Sequence, residues 1–402
     1  MQKSILLLGA GIEQVLAIQQ AKQLGLFVIA CDNDPSAVGL SLADVSYVFD
    51  IRNEARLLKI AGEHKVDGVF AHAIEMPDIV AQITKKLGLP GLSYEVAERA
   101  TNKYKRIAYL NGNNVPCAKF EVVKSQGELF LKAEKLGIPL IIKPVDASGA
   151  RGVRLVRSIG ELQEAYVETL EYSRFGVVLL EEVLDGPEIS TESVVYNDKI
   201  YTFAIADRNY EDSDFYAPYF VENGINYSSV LSESLHAEIK QLVEKTIRVL
   251  GIKNSAAKGD IIIHNGKPKI IEMAARTSGG WFGAGSIAIA TGVNMLKPLI
   301  QMAVGEQPDL TALQATRNLG CAQRYLIPSK EGIFRGISGT EEAKNSLGVK
   351  MCTIFPPKIG TRISKAKNHA ERFAQVICVG DTRDIAISNC VNAINKMRIH
   401  YD

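Results

Sequence analysis

The sequence has no Cys-x-x-Cys pair; its six cysteines, at 31, 117, 321, 352, 378 and 390, are scattered along the chain. That spacing argues against a thiolate metal site and a disulfide framework, and leaves reduced, mostly buried thiols. Charge of one sign is not in excess either. Lys and Arg total 46 against 45 Asp and Glu, so the chain as a whole has no electrostatic case for nucleic acid or a membrane surface. Long apolar runs are also missing. The opening stretch, MQKSILLLGAGIEQ, is interrupted at Gly9 and Glu13. It is too short to span a bilayer and lacks the small-residue cleavage site of a signal peptide. A cytoplasmic location is the resulting expectation. There is no internal repeat, no low-complexity segment and no GxxxxGK[ST] phosphate loop.

What is present is length and alternation. At 402 residues the chain exceeds one ordinary domain. SILLL, FVIACDND and DGVFAH read as strands alternating with helices that end near Gly25, at 54–64 and toward Gly88. Such βαβ units predict a doubly wound, Rossmann-like parallel sheet. LGLPGLSYE marks a first boundary, near residue 95. The pattern then changes to a helix over about 102–112, the strands PLIIKPV, GVVLLEEVL, EISTESVVY and KIYTFAIADR, and a long helix over about 233–250. The last part restarts at CAQRYLIP and ends in the strand FAQVICVGDT and a helix, a smaller α+β unit. The expected class is α/β and α+β multidomain, divided as 1–95, 96–310 (with a lid lobe about 114–185) and 311–402.

Four stretches carry chemistry. Gly9-Ala10-Gly11 follows a strand and opens a helix, and Asp32 lies where a dinucleotide's ribose acid would stand, although Gln14 replaces the third glycine. In KPVDASGARGV, Lys143 closes a strand and Ser148-Gly149-Ala150-Arg151-Gly152 forms a loop able to wrap phosphates with backbone N–H groups. A plain surface hairpin is the alternative. In EEVLDGPEIS, an extended segment can read an adenine edge and a following carboxylate can take ribose hydroxyls; acids beside turns are more often only solvated. Finally, HNGK joins two β-rich runs, and Asn-Gly supplies the positive φ of a type I′ hairpin. Asp260 is five residues before Asn265-Gly266 and Glu272 six after, so the acids can meet across the hairpin. Two facing carboxylates on apolar strands are costly unless a cation joins them, and hard oxygen donors with a phosphate partner point to Mg²⁺; a pair of exposed edge-strand acids is the alternative. Arg276, four residues on, is placed to clamp a phosphoryl group or oxyanion.

In this order and spacing the four stretches resemble the ATP-grasp superfamily of carboxylate–amine ligases. LLLGAGIEQ, AKQLGLFVIACDNDP, IIEMAARTSGG and GDTRDIAISNCVNAI are most similar to bacterial L-amino-acid ligases. The resemblance implies a substrate-binding α/β domain, a two-lobed ATP-grasp fold and a small C-terminal domain. It implies ATP and Mg²⁺ (or Mn²⁺) as cofactors, small-molecule carboxylate and amine substrates, and a homodimer as one assembly. Lys103 and Lys143 then match the phosphate-holding lysines and Ser148 to Gly152 the covering loop. Glu181, Glu182, Val183 and Leu184 match the adenine-reading hinge, and Glu188 the ribose acid. Asp260 and Glu272 match the metal ligands and Arg276 the residue that stabilises an acyl-phosphate step. Ser278, Gly279, Gly280 and Trp281, with Gly11, Glu13 and Glu75 from the N-terminal cleft, are the expected substrate side. One position departs: Ala274 stands where the family commonly has a metal-ligating Asn. The GxG turn with Asp32 keeps an NAD-dependent oxidoreductase as an alternative, and Ala274 keeps a non-catalytic nucleotide-binding protein. His72, after a strand end, is expected to be structural.

Overall fold

The computed structural model describes residues 2–402. The first three apolar runs form strands Ser4–Leu8, Phe27–Asp32 and Gly68–Ala71. With Val45–Val48, which is too short and half-exposed to stand out in the sequence, they make a parallel sheet. Its order is Val45–Val48, Phe27–Asp32, Ser4–Leu8, Gly68–Ala71. The chain order reverses between Ser4–Leu8 and Gly68–Ala71. Open α/β sheets bind ligands at such a reversal, beyond the carboxyl ends of the strands. The two loops that leave these strands carry Gly9–Gln14 and His72–Met76, which brings Glu13 and Glu75 to the same crevice.

The LGLPGLSYE stretch is not all linker. Ser93 caps a helix, Tyr94–Thr101, by accepting from the Val96 N–H, and Asn102 caps the next, Lys103–Gly112. A four-stranded antiparallel sheet follows in the order Phe120–Val123, Val178–Glu182, Leu140–Pro144, Arg154–Val156.

A second antiparallel sheet of eight strands forms the body. Lys267–Ala274, Ser255–His264, Glu188–Tyr196, Lys199–Asn209 and Gly224–Tyr227 are extended by Gly320–Leu326, Ala374–Gly380 and Val349–Ile354. The C-terminal strands therefore continue the same sheet. The chain ends in a further strand, Arg398–Tyr401, beyond the helix Arg383–Ile394 that the sequence suggested as the last element.

Helix Glu233–Leu250 runs from a Ser232 cap to Gly251, whose φ of +78° ends it in the left-handed region. Its buried Ile239, Leu242, Val243, Ile247 and Leu250 follow helical spacing and pack on Ile261, Ile263, Ile270 and Met273 of the hairpin. Full burial of each large aliphatic side chain contributes about 1.5–3 kcal/mol. That packing fixes one face of the hairpin to the core and leaves the other to form a site. No helix among the described residues is long and apolar enough to cross a membrane.

Candidate active site

The free face of the eight-stranded sheet is polar by register. Asn265 and Gly266 have φ of +51° and +72°, the pair of left-handed residues that the hairpin turn needs. A bulge then opposes Asp260 to Glu272 but Ile261 to Ile270, leaving Ile271 as the extra residue. The five-against-six count is absorbed, and the two acids stand directly opposite. On the other side, Asp260 pairs with Ser190 and Lys258 with Glu192. Two rows result: Ser190, Asp260, Glu272 and, beside them, Glu192, Lys258, Ala274.

Cations saturate this face. Asp260 Oδ2 meets Arg208 Nη1 at 3.0 Å and the Lys258 ammonium, while Oδ1 accepts from Ser190 Oγ at 2.9 Å. Arg208 also holds Glu222 at 2.8 Å and lies 3.6 Å from Glu188. Arg106 Nη2 donates to Glu272 Oε1 at 3.0 Å. Burial pushes the Glu272 carboxyl up, but Arg106, Lys103, Lys258 and Arg276 outweigh it and hold the group well below the usual carboxylate range. At Asp260 burial is likewise outweighed by Arg208 and Lys258. At Glu192 the balance is reversed: burial outweighs the lowering by Ser278, Lys258 and Arg276. Glu192 is fully buried, its Oε1 accepts from the Ser278 N–H at 3.2 Å, and Oε2 has no partner among the described residues. Burial raises it to about 7.

The four-stranded sheet covers this face. Ile141 lies opposite Glu181, which puts Lys143 on the same side one step along, and its Nζ meets Glu181 Oε2 at 2.6 Å with both residues buried. The Lys103 ammonium donates to the Ala147 carbonyl at the start of the Gly-rich loop. Gly149 and Ala150 have φ of +65° and +60°, so the loop turns through consecutive left-handed residues. Arg151 folds back, its Nε donating to the Ser148 carbonyl at 2.9 Å.

At the other end the N-terminal crevice closes on 276–281. Glu75 Oε2 accepts from Arg276 Nε at 2.5 Å, and Glu13 Oε2 accepts from the Gly280 N–H at 2.7 Å. Burial raises Glu13, offset in part by the Gly280 and Trp281 N–H groups. Trp281 stacks on Phe355 with ring centroids 5.6 Å apart, and Arg372 lies 3.8 Å over the Tyr325 ring.

One cavity of about 860 Å³ joins these parts. Its wall includes Lys103, Lys143, Ser148 to Arg151, Glu181 to Leu184, Glu188, Asp260, Glu272 and Arg276. Glu13, Glu75 and Ser278 to Trp281 line it as well. Of the residues that the resemblance assigned to nucleotide, metal and substrate, two are not on that wall. Gly11 stays within the first βα turn, and Gly152 packs where a Cβ would stand 2.9 Å from Tyr172 and 3.2 Å from Pro144. Asp32, weighed as a dinucleotide ligand, is occupied by the backbone: it accepts from the N–H groups of Ala10 at 2.6 Å and Asp34 at 2.9 Å. Gln14 packs over Gly9 and donates to the His72 carbonyl at 2.9 Å. His72 is buried, shares a hydrogen bond with Thr277 Oγ1 at 2.8 Å and is lowered to about 4 by burial, then Arg276. It joins two parts of the chain.

Arg208, Glu222, Lys258, Tyr325 and Arg372 also line the cavity and were not visible as site residues. Lys258 alone had a signal, standing two residues before Asp260 on one strand and hence on its face.

Among the described residues no group of three or more His, Cys, Asp or Glu side chains is arranged to hold a metal. Two opposed carboxylates fit an ion whose remaining oxygens come with a phosphate ligand.

Residues 136–285 match the model of the ATP-grasp domain. The chain thus carries an ATP-grasp domain. More particularly, residues 324–402 match L-amino acid ligase C-terminal domain 2. A formate-dependent phosphoribosylglycinamide formyltransferase of Prochlorococcus marinus is 34% identical over 187 residues, 46% of this chain and 48% of that protein. The alanine–anticapsin ligase of Bacillus subtilis is 25% identical over 278 residues, 63% of this chain and 57% of that one. The chain thus spans about half the length of these curated relatives. In structure, the L-amino acid ligase from Bacillus licheniformis shares the fold, with a TM-score of 0.85 at 21% identity over 100% of this chain and 99% of that one.

Proposed function

We propose that the chain joins an amino acid, activated at its carboxylate by ATP, to the amine of a second small molecule, with release of ADP and phosphate. The observation that carries this is the direct opposition of Asp260 and Glu272 in the wall of one cavity. At one end of that cavity stand Lys103, Lys143 and the Gly-rich loop, and at the other Arg276, Glu13 and Glu75.

The roles follow from chemistry. A carboxylate resists nucleophilic attack because of its charge and resonance, and phosphorylation turns it into an acyl phosphate with a good leaving group. Bringing a triphosphate beside a carboxylate crowds negative charge. Lys143 and Lys103 offset it on the nucleotide side, and Arg276 on the acceptor side. Asp260 and Glu272 would hold the Mg²⁺ that neutralises phosphoryl charge when bound with the nucleotide. Glu181 to Leu184 present backbone to an adenine edge, and Glu188 a carboxylate to the ribose. The loop at 148–151 excludes water from an intermediate that hydrolyses readily. Ser278 to Trp281, with Glu13 and Glu75, form the substrate end. Residues 1–95, 96–310 and 311–402 are the proposed domains; the first contains the whole four-stranded parallel sheet, and helix Tyr94–Thr101 runs across its boundary.

The test is a panel of amino-acid pairs with ATP and Mg²⁺, scored by ADP and phosphate release. Release that requires both partners of a pair supports the reading. ATP binding without turnover for any pair would instead favour a nucleotide-binding protein without catalysis, and no ATP binding with Lys143 intact would refute both.

A further inference from the structure

Lys258 stands among acids on three sides. Along its own strand its ammonium bonds Asp260, across one neighbouring strand it faces Glu192, and diagonally it approaches Glu272. Its remaining neighbour in register is the buried methyl group of Ala274, which supplies no oxygen. The Lys258 side chain is only 13% exposed and lines the cavity. The oxygens left for a metal are few. Asp260 already receives Arg208, Lys258 and the Ser190 hydroxyl, three of roughly four lone-pair positions. Glu272 has Arg106 on Oε1. Magnesium demands close to six oxygens in octahedral array, so two ions on this wall would compete for the free positions of essentially one carboxylate.

We infer that Lys258 is a fixed cation of the nucleotide site, neutralising Asp260 in place of one divalent ion, so that nucleotide is bound with a single metal held mainly through Glu272. This rests on the proposed ATP-dependent reaction and adds to it the metal stoichiometry and the residue that sets it. Replacing a mobile dication by a tethered ammonium also removes one ion that would have to be recruited with each nucleotide.

The experiment counts metal and does not need turnover. Mn²⁺ is titrated into the full chain at a saturating concentration of a non-hydrolysable ATP analogue, and bound Mn²⁺ is read by electron paramagnetic resonance. One Mn²⁺ per chain is expected for the unmodified protein. Lys258→Met should take up a second ion, and the Mn²⁺ concentration for half-maximal analogue binding should rise about tenfold, the order expected for a lost charge-assisted contact. Lys258→Arg, which keeps the charge, should retain one. Two ions on the unmodified protein overturn the inference whatever the variants do, as does a methionine variant with unchanged count and midpoint. If the methionine variant does not fold, the counts on the unmodified and arginine proteins decide, with two on either overturning the inference. Absence of analogue binding altogether refutes the nucleotide reading and this inference with it.

Discussion

Glu192 offers a measurement of how dry the site floor is. Its side chain is fully buried, with one oxygen on the Ser278 N–H and the other without a partner among the described residues. Burial raises it from 4.5 to about 7. Below pH 4.5 the group is protonated folded or unfolded and contributes nothing to the pH dependence. Between 4.5 and about 7 the unfolded chain has released its proton while the native one retains it, so stability falls as pH rises, by about 1.4 kcal/mol per pH unit. Above 7 the full cost, about 3 kcal/mol, is present and constant. Glu192→Gln keeps an oxygen for Ser278 and removes the titration. The expected outcome is equal stability of the two proteins at pH 4 and a variant more stable by up to about 3 kcal/mol at pH 8. Urea unfolding followed by circular dichroism at pH 4, 6 and 8, with chelator and without nucleotide, makes the comparison. A difference between the proteins that is the same at pH 4 and pH 8 would refute the argument that burial governs this carboxyl.

Three further outcomes are expected. Lys143→Met leaves the buried Glu181 carboxylate unpaired, which should cost about 3 kcal/mol by thermal unfolding and abolish ATP binding by calorimetry; adding Glu181→Gln should restore the stability and not the binding. Arg276→Gln should slow ADP formation by about 10²–10³-fold while nucleotide affinity changes little, whereas equal losses in both would make Arg276 structural. Ala274→Asn adds volume at a fully buried position beside Lys258 and should lower stability by about 1–3 kcal/mol, read as a drop in melting temperature.

Much of the site was legible because its signals are local. Asn265-Gly266 announces a turn that any chain must make with positive φ, and helix Glu233–Leu250 carries a cap, a period and a terminating glycine within one stretch. Lys143 and the small residues after it are contiguous, as are Glu272 and Arg276. Elements without such markers were lost: Val45–Val48 has too few buried residues to stand out, and Tyr94–Thr101 sits inside a segment whose Pro and Gly suggested a linker.

The sequence by itself determined which residue types the site contains and the turns that present them, since these depend on backbone chemistry over a few residues. Tertiary structure alone decided their partners, and the physical reason is parity. A strand alternates faces at every residue, so one inserted residue exchanges its inward and outward sets. The bulge at Ile271 brings Glu272 opposite Asp260. A second irregularity between Thr202 and Ala204 sets Ala204 opposite Glu192 and Ala206 opposite Ser190, so Arg208, two residues on, reaches Asp260. Neither bulge has a sequence signature, and without them the facing acids would lack one another and Asp260 the guanidinium that neutralises it.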